Sequence, residues 1–153
     1  MHQALSENLY RSGWVPDTFE ARAGMVTAHS AVMFVRLADI GLSQSAQLAD
    51  ELNNCILDGF DAAYRELGVG DATIARKVRT LAELHAGAGK AIARALGSDS
   101  DAREAVEIVL QRNGYVASEG ARPVAVRLEN SLVRFREQED AAILKGNFGS
   151  LID

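Results

Sequence analysis

Between Ser43 and Leu96 two long amphipathic stripes are interrupted only by Leu67-Gly68-Val69-Gly70-Asp71. On the first stripe Ala49, Leu52, Ile56, Phe60, Ala63 and Leu67 recur at helical spacing, and on the second Ile74, Val78, Leu81, His85, Ala88, Ile92 and Leu96 do the same. Long helices joined by so short a connection fold back on each other, so an antiparallel hairpin is the strongest constraint on the architecture. The junction fits. Gly68 stands where a helix C′ residue turns left-handed, and Asp71 where the next helix takes an N-cap oxygen.

The rest of the chain is punctuated in the same way. Pro16 and Asp17-Thr18 mark a helix entrance, Phe19, Val26, His29, Met33, Leu37 and Ile40 share a face, and Gly41 closes that helix. Gly97 ends the helix that began at Asp71. Gly87 and Gly89 lie within it, each costing up to about 1 kcal/mol relative to Ala, which predicts close approach by another helix or a weak point. After the loop Gly97-Ser98-Asp99-Ser100-Asp101, a shorter helix carries Ala105, Ile108, Val109 and Leu110 and stops at Asn113-Gly114. Pro123 suits the first turn of a last helix with Val124, Leu128, Leu132, Phe135, Ile143 and Leu144. Strand-like alternation, internal repeats and low-complexity runs are absent from the sequence. The expected fold is all-α: one domain over 1–153, a single helical bundle of four long helices plus one or two shorter ones, with segments 1–12 and 146–153 less ordered.

Charge narrows the partners. A net charge of −5 opposes bulk binding to DNA. It is unevenly spread: Asp50, Glu51, Asp58, Asp61 and Glu66 face Arg65 alone in the first helix of the hairpin, while Arg76, Lys77, Arg79, Lys90 and Arg94 face Asp71 and Glu83 in the second. Solvated faces with a few ion pairs are one reading, and a basic face meeting an acidic partner, RNA or lipid headgroups is the other. The single cysteine, Cys55, excludes an intrachain disulfide, and its neighbours Leu52, Ile56 and Leu57 make it a buried packing residue in the sequence reading. Met1 to Glu7 lacks a signal-peptide pattern, and the run Ala31-Val32-Met33-Phe34-Val35 is cut by Arg36 well short of the ~20 residues of a membrane span. The expectation is a soluble, cytoplasmic protein with only peripheral contact at the inner face of the cytoplasmic membrane.

Residues for catalysis are sparse. A di-metal bundle needs Glu-x-x-His pairs, but Val26 and Ala82 stand three residues before His29 and His85. One cysteine and three scattered histidines give no zinc set. Gly87-Ala88-Gly89-Lys90 is followed by Ala91 rather than Ser or Thr and preceded by helix rather than strand, so it is no phosphate loop. His29 and His85 fall on apolar stripes, the usual place of satisfied core histidines. Trp14 is either a staple holding the entrance loop on the bundle or an exposed aromatic anchor for a partner. No enzyme activity, metal or cofactor is expected.

Two blocks carry a resemblance. Gly13-Trp14-Val15-Pro16-Asp17-Thr18 with Arg22, His29 and Arg36-Leu37, and Asp61 with Arg65-Glu66-Leu67-Gly68-Val69-Gly70-Asp71 and Lys77-Val78, are similar to the signature blocks of the ubiquinol-cytochrome c chaperone family. Arg112-Asn113 with Tyr115 resembles a third. The chain looks like a divergent bacterial-type member. It has Ala21-Arg22-Ala23-Gly24 where the family usually has Gly-Arg-Phe-Glu, and Leu84-His85-Ala86-Gly87-Ala88 in place of an aromatic pair followed by Gly-Arg.

The resemblance implies a non-enzymatic assembly factor that binds newly made cytochrome b, or another respiratory-chain membrane subunit, and aids assembly of respiratory complex III. A ribosome or a partner assembly factor would be further contacts. The partner-binding residues it implies are Trp14, Pro16, Asp17, Arg22, His29, Arg65, Glu66, Gly68, Gly70, Asp71 and Lys77. Two alternatives stay open: a small-molecule-binding or enzymatic bundle in which Asp17, Arg22, His29 and Asp71 line a polar cavity, and a ribosome- or RNA-contacting module using Arg76, Lys77, Arg79, Lys90 and Arg94.

Overall fold

Seven α-helices make up the computed structural model, which describes residues 4–98 and 101–147. The order is α1 (Glu7–Arg11), α2 (Phe19–Ile40), α3 (Ser43–Glu66), α4 (Asp71–Leu96), α5 (Ala102–Arg112), a 3-10 turn (Ser118–Gly120), α6 (Ala121–Arg136) and α7 (Asp140–Leu144). No strand occurs among the described residues. The four long helices expected from sequence are α2, α3, α4 and α6. The segment 1–12, expected to be less ordered, contains α1, whose Leu9 is buried, while residues 148–153 of the expected tail 146–153 and the loop residues 99–100 lie outside the described residues.

Helix α2 is the hub. It packs on α3, α4 and α6, and α5 closes a four-helix arrangement by packing on α4 and α6. A helix enclosed this way has no single apolar stripe, and α2 buries Ala21, Met25, Ala28, Val32 and Val35 as well as Leu37. Of the face expected from sequence, Leu37 is buried, while Phe19, Val26, His29, Met33 and Ile40 are only half-buried and mark the edges of these contacts. By length and composition alone α2 could cross a membrane, and more than half of that stretch is buried within the protein.

Two apolar clusters share α2 as a wall. The larger joins Met25, Ala28 and Val32 to Ile92 and Leu96 of α4, Val106 and Leu110 of α5, and Val124 and Leu128 of α6. The smaller gathers Ala23, Ile56, Phe60, Tyr64, Ile74 and Leu81 where the α3–α4 hairpin leans on the first half of α2. Between them Gly89 brings α4 close enough to α2 for a Cβ to meet the Thr27 methyl at 3.6 Å, the close approach expected there. Gly87 faces open space.

Two expectations are corrected. The last helix does not run through to Leu144: Arg36 of α2, itself buried, donates from Nε to the Phe135 carbonyl (2.8 Å) and from Nη2 to the Gln138 carbonyl (2.9 Å) and the Asp140 carboxylate (2.5 Å). Those bonds satisfy the end of α6 and turn the chain into α7, which returns Ile143 to the core. Cys55 is exposed, not buried. The buried line of α3 is Ile56, Phe60 and Tyr64, and one helical step of about 100° turns Cys55 away from it.

Candidate partner-binding surface

The start of α2, the end of α3 and the start of α4 meet at one end of the bundle. There the Phe19 ring packs on Tyr64 with centroids 4.6 Å apart, and the Lys77 ammonium sits over the other ring of this pair, Tyr64, at 5.4 Å. Burial, and then the nearby Glu20 charge, push the Tyr64 hydroxyl pKa upward, so it remains a neutral phenol. This short stack joins the Trp14-to-Thr18 block to the Leu67-to-Asp71 block.

On the α2 side, Thr18 caps the helix by accepting the Ala21 amide, and Val15 is buried with its amide bonded to the Leu9 carbonyl. Asp17 takes Nε of Arg22 at 2.7 Å and Nη2 at 2.6 Å, and the Arg22 guanidinium lies 4.7 Å from the Tyr10 ring centroid. Leu5, Glu7, Tyr10, Arg11, Asp17 and Arg22 line a shallow open cleft. The Trp14 carbonyl accepts the Ala117 amide at 2.9 Å, and Gly120 presses so closely on the Trp14 backbone that a Cβ would overlap it. The backbone of Trp14 is thus the staple, while the residue remains 36% exposed beside exposed Pro16.

At the hairpin tip, Gly68 has φ +72°, its amide bonds the Arg65 carbonyl, and the Val69 amide bonds the Tyr64 carbonyl, closing α3 in the left-handed manner expected of C′ glycine. The expected N-cap is shifted by one residue: Gly70 occupies that position, and Asp71 is the first residue of α4. The reason is a competing partner. The Asp71 carboxylate accepts Nη1 of Arg65 at 3.2 Å, while Asp61 holds Nε of the same arginine at 2.7 Å. Glu66 and Leu67 are exposed, Leu67 to 60%. The tip therefore presents one apolar side chain among charged ones. Exposed pairs of this kind orient side chains and contribute little to stability.

His29 does not join this surface. It lies ten residues into α2 from Phe19, about 15 Å along the axis. Its Nδ1 donates to the Met25 carbonyl at 2.9 Å, and Nε2 is sealed from solvent with no hydrogen-bond partner among the described residues. Burial lowers its pKa to about 4, against the raising effect of the Met25 bond. The single polar cavity expected of Asp17, Arg22, His29 and Asp71 does not form: the first two share the open cleft, Asp71 faces Arg65, and His29 bonds its own helix.

The places where the sequence departs from the family pattern have structural partners. Gly24 is buried against the Tyr115 ring, which occupies the space a Cβ would need. Ala23 belongs to the smaller cluster. His85 is buried on α4, its Nδ1 2.9 Å from the Thr27 hydroxyl and its ring edge-on to Phe60. The Thr27 hydroxyl donates to the Ala23 carbonyl, so Nδ1 of His85 carries the ring proton and burial lowers its pKa. Sequence reasoning missed Tyr10, Phe19 and Tyr64 as parts of the surface. The spacing Ile56, Phe60, Tyr64 held a signal for the last.

The sequence pattern of the family described as Ubiquinol-cytochrome C chaperone matches residues 11–151. Among solved structures, the crystal structure of the Cbp3 homolog from Brucella abortus is similar over 94% of this chain and 80% of that one, at 25% identity and a TM-score of 0.79. No curated protein matches.

Proposed function

The chain belongs to the ubiquinol-cytochrome C chaperone family, and on that premise we propose that it is a non-enzymatic assembly factor that holds newly made cytochrome b on its way into respiratory complex III. The observation that carries the proposed contact site is the Phe19–Tyr64–Lys77 stack, which brings the two blocks into one continuous surface at the end of the bundle. Leu67 and Trp14 give that surface exposed apolar groups, and Arg65, Glu66, Asp71, Asp17 and Arg22 ring them with charge. An unassembled transmembrane helix needs both. Its apolar flank is shielded by contact, and its polar ends are matched by side chains that steer the encounter and fix its orientation.

A crosslinking capture from the native host's membranes tests this, comparing the wild type with the triple change Asp17→Ala, Arg65→Ala, Asp71→Ala. All three side chains are exposed, so the variant keeps its fold. Recovery of cytochrome b by the wild type and its loss in the triple variant is the expected result. Equal recovery by both, with complex III assembling normally in cells carrying the variant, would refute this surface.

A further inference from the structure

The α3–α4 hairpin carries a second feature that the client surface does not use. On α4, Arg76, Arg79, Lys90 and Arg94 all fall on the side opposite the buried line Ile74, Leu81, His85, Ala88, Ile92. All four are exposed, and none makes an ion pair among the described residues, although arginines elsewhere in the fold do. Glu83 is the one acid on the line. Arg76 to Arg94 spans about 27 Å of a continuous helix. Leu84, 50% exposed, lies about a quarter-turn or more around the helix from each of these cations, beside the buried line. On the adjacent helix α3, the outward side holds Glu51 and Asp58.

We propose that the outer face of α4 docks the protein on an anionic lipid surface. A chain with net charge −5 meets a polyanion most favourably along its densest basic line. A flat surface meets such a line end to end while Glu51 and Asp58 stay on the outward side of α3, whereas a flexible nucleic acid following the protein's curvature also meets those carboxylates. The opposite sign of α3 fixes the roll of the molecule about α4, with the cations toward the headgroups and the acids away. Lying this way, α4 brings its own first turn, and with it the Gly68–Asp71 tip, level with the membrane surface. The inference does not depend on which client the protein serves.

Co-sedimentation of the full chain with phosphatidylcholine vesicles, with and without phosphatidylglycerol, tests it. Binding is expected only with the anionic lipid, and it weakens as salt is raised. Each Lys or Arg at such a surface is worth roughly fivefold in partitioning, so Arg79→Gln with Lys90→Gln lowers it about twenty-fivefold. Arg122→Gln with Arg134→Gln, the same charge change on exposed positions of α6, leaves it nearly unchanged. Equal losses in the two double variants would reduce the effect to net charge and overturn the proposal. So would absence of vesicle binding together with binding to single-stranded oligouridylate that Arg79→Gln with Lys90→Gln abolishes, which would make α4 an RNA face.

Discussion

Replacing Gly24 by Ala sets two opposed effects against each other at one atom. Gly24 is in the interior of α2 and Gly87 in the interior of α4, so either change to Ala gains up to about 1 kcal/mol of helix propensity. At Gly87 a Cβ meets nothing within 4 Å, and the gain is kept. At Gly24 it would overlap Cγ, Cδ1 and Cε1 of Tyr115, a buried ring. Because Cγ is among the overlapped atoms, rotating the ring does not relieve the contact, and the side chain must shift as a whole. Overpacking of this kind costs about 1–3 kcal/mol, leaving Gly24→Ala destabilised by about 1 kcal/mol net. The two variants therefore differ by about 2 kcal/mol, which for a domain of this size separates their melting temperatures by about 4–8 °C. Urea unfolding followed by far-ultraviolet circular dichroism gives the free energies. In a Tyr115→Ala background the clash is gone, and Gly24→Ala becomes stabilising. If Gly24→Ala stabilised the wild-type chain as much as Gly87→Ala does, the account of Gly24 as a seat for Tyr115 would be wrong.

Gly120→Ala drives a Cβ into the Trp14 backbone rather than a side chain, so we expect a loss of about 2 kcal/mol and a shift in the fluorescence of Trp14, the chain's only tryptophan; an unchanged spectrum would count against the staple. Arg36→Met leaves the Phe135 and Gln138 carbonyls without their charged donor and is expected to cost about 2–3 kcal/mol, with amide exchange accelerating in 140–144, whereas Asp140→Asn, whose side chain is more than half exposed, costs less than about 1 kcal/mol. For His29 the folded pKa near 4 lies below the ordinary 6.5, so the unfolded chain takes up the proton first as pH falls. Its share of stability is complete above pH 6.5, declines through the window from 6.5 to about 4, and amounts to roughly 3 kcal/mol when fully lost. His29→Gln is expected to flatten that part of the stability profile, and an identical acid limb in both proteins would refute the assignment.

Helix boundaries were legible because their causes are local. Gly41, Gly68 and Gly114 turn left-handed where the sequence put helix ends, and Thr18 caps where Pro16-Asp17-Thr18 announced an entrance. What stayed hidden is set by distant neighbours. The break between α6 and α7 is made by Arg36, about a hundred positions away, and no residue near Glu137 betrays it. The face of α2 was misjudged because periodicity finds a stripe only when one side meets water, and α2 meets protein on most sides. At the candidate site, Asp17–Arg22 and Arg65–Asp71 lie within a few residues of each other in sequence and were found as motifs. The aromatic link that makes them one surface crosses from α2 to α3, and His29 shows that sharing a motif does not mean sharing a place.

Helix α3 commits only Ser45, Ile56, Phe60 and Tyr64 of its 24 residues to full burial, most of them in the smaller cluster. Cooperativity follows burial, so α3 is the element that can detach at least expense while α2, α5 and α6 remain closed around the larger cluster. Native-state hydrogen exchange would then sort this small protein into two foldons, with α3 amides exchanging through a partial opening and α2 amides only through global unfolding. In that opening Phe60, Tyr64 and the flank of α2 become accessible together, giving the molecule a transient apolar cradle far larger than the surface it shows when closed.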